Sequence, residues 1–106
     1  MKNAIAATEV FGVTPDGERK RLTVAVGAPA RGPRGQDWQC KVTIADVLRP
    51  TAVAGGDSFE ALFRAVASVR EHLAGLQAQG WSLSLDEAGR EALDVERWPS
   101  TAEPPA

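Results

Sequence analysis

Residues 57–77 read DSFEALFRAVASVREHLAGLQ, and their apolar side chains recur at a helical period over several turns. At about 100° per residue, these side chains fall within an arc of roughly 140°. The arc contains Phe59, Leu62, Phe63, Val66, Val69, Leu73 and Leu76. The pattern predicts one long amphipathic helix over residues 57–77, with this arc as its buried face.

Both the start and the polar face of this helix are signalled. Gly55 and Gly56 precede Asp57, whose carboxylate can accept from the amide of Glu60 while the Glu60 side chain reaches back, as in a capping box. The face opposite the apolar arc carries Glu60, Arg64, Ser68 and Glu71. Glu60 precedes Arg64 in the order that favours an ion pair one turn apart, so this face is expected to lie in solvent.

Arg70 breaks the pattern, because it projects at about 20°, inside the apolar arc. In one interpretation its stem follows the rim of the core and its guanidinium reaches water or a carbonyl at the end of the sheet. In the other it pairs with Asp46 or Asp57 and fixes the helix register.

Strand patterns precede and follow the helix. Residues 4–13 and 19–27 flank Thr14-Pro15-Asp16-Gly17, a turn sequence, and so predict a hairpin. Residues 38–44 alternate strongly, with Trp38 and Cys40 on the inward side. Pro50 interrupts residues 47–54 and favours an edge strand there. Residues 81–85 predict a short fifth strand, and residues 86–95 could form a helical turn around Leu93.

These elements predict an α+β fold with two layers, in which a four- to five-stranded mostly antiparallel sheet packs on one long α-helix. An alternative places the strand at Trp81 in the middle of the sheet. The expected core joins the helix to the first strands through Leu62, Phe63, Val66, Val69 and Leu73 on one side and Leu22, Val24, Trp38, Cys40 and Val42 on the other. Residues 1–98 should form a single domain, and residues 99–106 a disordered tail.

Length and composition limit the class of protein. The chain has 106 residues, of which 43% are hydrophobic and 25% charged, as in one globular domain. A single cysteine excludes an intrachain disulfide. No secretion signal or stretch of about 20 apolar residues is present, so we expect a cytoplasmic protein.

Candidate chemistry is sparse. Cys40 and His72 are the only residues of their types and could form a nucleophile and base, but Cys40 shares an inward strand face and His72 lies at the polar edge of the helix. One histidine and one cysteine give no spacing for a metal site, so no cofactor is expected.

Nucleic acid is a weak alternative ligand. Arg19-Lys20-Arg21, Arg31 and Arg34 could form a basic patch beside Trp38. However, Glu18 dilutes the cluster, Trp38 points inward, and the net charge is -2. Residues 28–37 instead form an exposed loop rich in glycine, proline and arginine, and its Arg31 and Arg34 are candidate contacts to an acidic protein partner.

Three motifs carry a family resemblance. They are Trp38-Gln39-Cys40 in a strand, Gly56-Asp57-Ser58-Phe59-Glu60-Ala61-Leu62 at the helix start, and Val69-Arg70-Glu71-His72-Leu73 with the following Trp81 and Leu83. Together they resemble a family of small bacterial domains of unknown function. That family has a D-W-x-C strand, a G-x-D-S-x-x-A-L helix start and a late I/V-R-x-x-L segment. The resemblance implies the same strand order and a structural role for Arg70, and it implies no activity.

The sequence therefore favours a non-enzymatic protein-binding module, such as a toxin-neutralising immunity protein or an adaptor subunit. The partner would be another protein, or a second copy joined through an edge strand. The alternatives are a small enzyme that uses Cys40 or the Arg31/Arg34 loop, and a weak nucleic-acid binder.

Overall fold

The computed structural model describes residues 4–35 and 37–100, apart from the side chain of Arg34. Its elements in chain order are β1 (Ala4–Val13), β2 (Arg19–Gly27), β3 (Ala30–Arg31), a 3-10 helical turn (Pro33–Gly35), β4 (Trp38–Ile44), β5 (Leu48–Gly55), α1 (Ser58–Ala78) and β6 (Ser82–Ser84). Every ladder between these strands is antiparallel. The predicted α+β class, with one helix on an antiparallel sheet, is confirmed.

The sheet is organised around the β1–β2 hairpin. β4 pairs with β5 on one side and with β2 and the short β3 on the other, while β1 lies between β2 and β6. The strand after Trp81 therefore lies at an edge, and the alternative that placed it in the middle is wrong. In the hairpin turn, Gly17 N donates to Thr14 O at 2.9 Å and Gly17 has a φ of 87°, which glycine adopts at low cost.

Two irregular stretches differ in how well they were predicted. Residues 28–37 are not wholly a loop, because Ala30 and Arg31 pair with Gln39 and Trp38 and a 3-10 turn follows. Gly32 N donates to Asp37 O at 2.8 Å and closes this turn.

Pro50 lies inside β5, which pairs only with β4 among the described strands, so the edge prediction is confirmed.

The helix begins as predicted. Asp57 Oδ1 accepts from Glu60 N at 2.7 Å, and Glu60 Oε1 accepts from Gly56 N at 2.9 Å, one residue upstream of the usual capping-box partner. Glu60 also lies 3.4 Å from the Arg64 guanidinium, which confirms the exposed pair.

The predicted buried face of the helix is wrong in its orientation. Phe59 and Phe63 are 85% and 75% exposed. The buried helix residues are Ala61, Ala65, Val69, Leu73 and Leu76. The buried face is therefore turned by roughly 60° from the predicted arc at about 100° per residue.

The rotation has a steric cause. A Cβ on Gly55, the last residue of β5, would lie 2.8 Å from the Cα of Ala61. The backbone of the first helical turn therefore lies directly against this glycine, and the fully buried Ala61 and Ala65 are the small residues on the side of α1 that faces the sheet. The two phenylalanines are then directed to the flank of the helix.

The core lies between α1 and the sheet, and its C-terminal end is closed by the segment after β6. Leu93 and Trp98 of this segment are buried with Val10, Leu22, Val24 and Val69. The predicted helical turn around Leu93 is wrong, because Leu93 N donates to Leu83 O at 3.0 Å and Ser84 forms a bridge with Ala92.

Most of the predicted tail, residues 101–106, lies outside the described residues. In the described part of the chain, no helix has the length and apolar character needed to cross a membrane.

Candidate functional site

Cys40 and His72 lie in different environments. Cys40 has no exposed surface, its Sγ donates to Gly27 O at 3.0 Å, and burial raises the pKa of its thiol. A neutral buried thiol is a poor nucleophile. His72 is exposed, and its Nδ1 lies 2.8 Å from Ser68 O on its own helix. The two side chains thus engage separate backbone carbonyls.

The acidic side chain of Asp86 accepts hydrogen bonds from the backbone. The described residues include no group of three or more His, Cys, Asp or Glu side chains that could hold a metal ion. The Asp86 carboxylate accepts from Glu91 N at 2.8 Å and from Arg90 N at 3.2 Å. The bond from Glu91 is the main cause that lowers the pKa of Asp86. Asp86 therefore organises the turn that follows β6.

The basic residues named from the sequence have local partners. Lys20 lies 3.1 Å from Glu18. Arg21 lies 3.8 Å from Glu9, and its guanidinium is 5.6 Å from the centre of the Phe11 ring. These contacts place acidic and aromatic groups among the cations of the predicted basic patch.

Of the two loop arginines, the structure describes the side chain of Arg31 only. Its guanidinium lies 5.4 Å from the centre of the Trp38 ring, and a terminal nitrogen donates to Gly35 O at 3.2 Å. Arg31 therefore packs on the start of β4. Arg34 belongs to the 3-10 turn, and its side chain is outside the description.

Arg70 fastens the C-terminal segment to the helix. Its Nε and a terminal nitrogen donate to Trp98 O at 2.9 and 2.7 Å. The interpretation in which Arg70 reaches a carbonyl is correct, although the carbonyl belongs to the C-terminal segment. The alternative with Asp57 is wrong, since that carboxylate caps the helix.

An apolar groove lies between the helix, the C-terminal segment and the N-terminal half of β1. Val24 and Val26 lie at its base and are largely buried, while the helix lies mainly over β4 and β5. Val66 and Trp98 form its walls, and Ala6 lies at its β1 side. The groove has a volume of about 390 Å³, and no charged residue lines it.

Two exposed phenylalanines lie on the same side of the helix as Val66, which lines the groove. Phe59, Phe63 and Val66 lie within about 60° of each other around the helix axis. Phe63 is therefore one turn before Val66 on the same ridge. Large exposed aromatic side chains next to a recess form an apolar patch of the kind that marks interaction sites.

The third feature is a free strand edge. β6 pairs only with Phe11, Gly12 and Val13 of β1, so residues 4–10 have β2 as their one strand neighbour among the described residues. Residues 4–8, Ala-Ile-Ala-Ala-Thr, contain no charge and no proline. The opposite edge strand, β5, contains Arg49 and Pro50, which discourage edge pairing. We call the groove, the two phenylalanines and the free edge of residues 4–10 together the groove surface.

The sequence predicted an edge strand as a binding site but not the aromatic part of the groove surface, because both phenylalanines were assigned to the buried arc of the helix. The available signal was the small-residue stripe of Ala61 and Ala65 directly after two glycines. That stripe marks the side of a helix that can approach a backbone closely.

This fold and surface define a small two-layer α+β domain with an open apolar groove and one unguarded strand edge. Residues 7–95 match the family described as Domain of unknown function (DUF6968), and the chain belongs to this family. Searches of curated proteins and of solved structures found no match.

Proposed function

We propose that this domain is a non-enzymatic protein-binding module and that its partner docks on the groove surface. The proposal is carried by Phe59 and Phe63, which expose 85% and 75% of their surface on the side of the helix where Val66 lines the apolar groove. Residues 4–10 of β1 supply a strand edge on the other side of this groove. The partner would present an extended strand with free backbone groups and small or apolar side chains. Pairing of that strand with β1 would extend the sheet.

The magnitudes indicate that all three parts of the surface contribute. Complete burial of two phenylalanine side chains supplies about 3 to 6 kcal/mol. Loss of translational and rotational freedom on association costs about 4 to 15 kcal/mol. The aromatic contacts alone therefore do not hold a partner, and backbone pairing along β1 with filling of the groove is required.

The loop arginines lie near one end of this surface. Ala4, the first described residue of β1, pairs with Gly27, and Ala30 begins the next strand three residues later. A partner strand that reaches Ala4 would approach this loop. Contact of Arg31 and Arg34 with an acidic part of the partner stays a prediction.

The more specific roles also stay predictions. Toxin neutralisation and adaptor function are two activities that a small domain with one binding surface could perform. We keep the expectation that the protein is bacterial and cytoplasmic. The burial and raised thiol pKa of Cys40 favour the binding module over an enzyme that uses this residue.

The proposal is tested by photo-crosslinking in the native host. A benzoylphenylalanine replaces Phe63 in one variant and Glu71 in a control, because Glu71 is also exposed but lies about 80° further round the helix. We expect a discrete adduct from position 63 and none from position 71. Absence of an adduct at position 63, or equal adducts at both positions, would overturn the proposal.

A further inference from the structure

We infer that the partner on the groove surface is a second copy of this chain, joined by antiparallel pairing of the two free β1 edges. This inference rests on the proposed function, since it names the occupant of the same surface. It is supported by the composition of the edge, by the shape of the surface and by the contrast between the two edges of the sheet.

The free edge of β1 can pair with the same edge of a second copy. A two-fold axis perpendicular to the sheet would bring residues 4–8 of two copies side by side as antiparallel strands. In a register centred on Ala7, Glu9 falls opposite Ile5, and in a register centred on Ala6 it falls beyond Ala4. The Glu9 side chains of the two copies therefore do not oppose each other. The facing side chains are small and uncharged, and like-charge repulsion across the pair is avoided. The bulge between Ala4 and Ala6 leaves residues 6–10 as the regular part of this edge.

The shape of the surface suits an isologous contact, in which both copies use the same patch. Each copy offers an apolar groove that Ala6, Val66 and Trp98 line, together with the exposed side chains of Phe59 and Phe63. The two-fold axis keeps both helices on the same face of the joined sheet. The grooves of the two copies, which Ala6 and Thr8 of β1 line, then lie on the same face on either side of the joined strands.

The contrast between the sheet edges explains why association stops at two copies. β5 carries Arg49 and Pro50 at the other side of the sheet. The second end of β1 is occupied by β6. Pairing of the two β1 edges consumes the unguarded edge of each copy, so a closed dimer forms instead of an open fibre.

Sedimentation velocity of the purified protein over the micromolar range tests the inference. We expect a dimer whose fraction rises with concentration. Phe63→Glu places a charge on the apolar part of the groove surface, and Thr8→Lys places a like charge in each copy at the joint. Each variant should weaken dimerisation at least tenfold while the far-ultraviolet circular dichroism stays unchanged. Ala52→Glu, an exposed position on β5 with the same charge change as Phe63→Glu, should dimerise like the wild type.

Two results would overturn the inference. One is a wild-type protein that stays monomeric throughout; the other is a dimer that neither Phe63→Glu nor Thr8→Lys weakens. The mass of the adduct at position 63 separates this failure from that of the proposed function. An adduct of twice the chain mass supports the second copy. An adduct of any other discrete mass would support the protein-binding module but would show that its partner is a different protein.

Discussion

Gly55 lies so close to Ala61 that a Cβ on the glycine would approach the Cα of Ala61 to 2.8 Å. This contact between the end of β5 and the first helical turn sets the rotation of α1. Because the rotation directs Phe59 and Phe63 away from the core, a backbone contact inside the fold determines the apolar surface outside it.

Gly55→Ala should therefore destabilise the protein. The added methyl group meets backbone atoms of Glu60 and Ala61, which cannot swing aside, so we expect a loss of about 1 to 3 kcal/mol in the free energy of unfolding. Gly75→Ala is the matched control, since nothing lies within 4 Å of a Cβ at this helical position. That variant should gain about 0.5 to 1 kcal/mol. Chemical denaturation measures both, and equal stability of the two variants would contradict the close contact.

Leu73 and Phe63 should differ sharply in their contribution to stability. Leu73→Ala empties a fully buried position and should cost about 2 to 5 kcal/mol. Phe63→Ala removes a side chain that is 75% exposed and should change the stability by no more than about 0.5 kcal/mol in the monomer. Thermal and urea unfolding at low protein concentration provide the comparison. A large loss of stability in Phe63→Ala would show that this side chain belongs to the core.

Cys40 should be protected in the native protein. Its thiol is fully buried, donates to Gly27 O and has a raised pKa, so a thiol reagent should modify it only as the structure opens. The rate of labelling with a chromogenic disulfide is compared in buffer and in denaturant. Fast labelling in buffer would revive the enzyme alternative based on this residue.

Asp86 should make stability depend on pH on the acid side. The pKa of its carboxyl is lowered in the folded protein, chiefly by the bond from Glu91 N. The unfolded state therefore binds the proton more readily. The stabilisation is complete above the unfolded pKa of about 3.9 and is lost as the pH falls through the folded value. Denaturation of the wild type and Asp86→Asn at a series of pH values tests this, and the difference between them should shrink below about pH 4. A difference that does not vary with pH would contradict it.

The parts of the fold that the sequence predicted correctly are those with local causes. The hairpin turn at Thr14 and Gly17 and the helix cap at Asp57 and Glu60 depend on residues within four positions of each other. The helix orientation depends on how closely α1 approaches β5, and two phenylalanines dominate a helical wheel that contains no information about that distance. Trp98 was missed as a core residue because no periodic apolar neighbours surround it, and its position depends on Arg70, which lies 28 residues earlier.

The groove surface could not be predicted for the same reason. It exists because the helix lies mainly over β4 and β5, and Trp98 and Pro99 form the side of the groove that faces the start of β1. Its strand part was predicted in general terms, as an edge strand that could pair with a second copy. Its aromatic part follows only from the observed rotation.

Amide hydrogen exchange along β1 tests the central claim, that a partner pairs with this edge, most directly. In the monomer, the outward amides of residues 4–10 should exchange fast, as should those of the β5 edge. At concentrations where the dimer forms, we predict that exchange slows in β1, stays fast on the outer edge of β5, and returns to the monomer rate in Phe63→Glu. Unchanged exchange in β1 while the dimer forms, or protection of β5 in its place, would contradict the account.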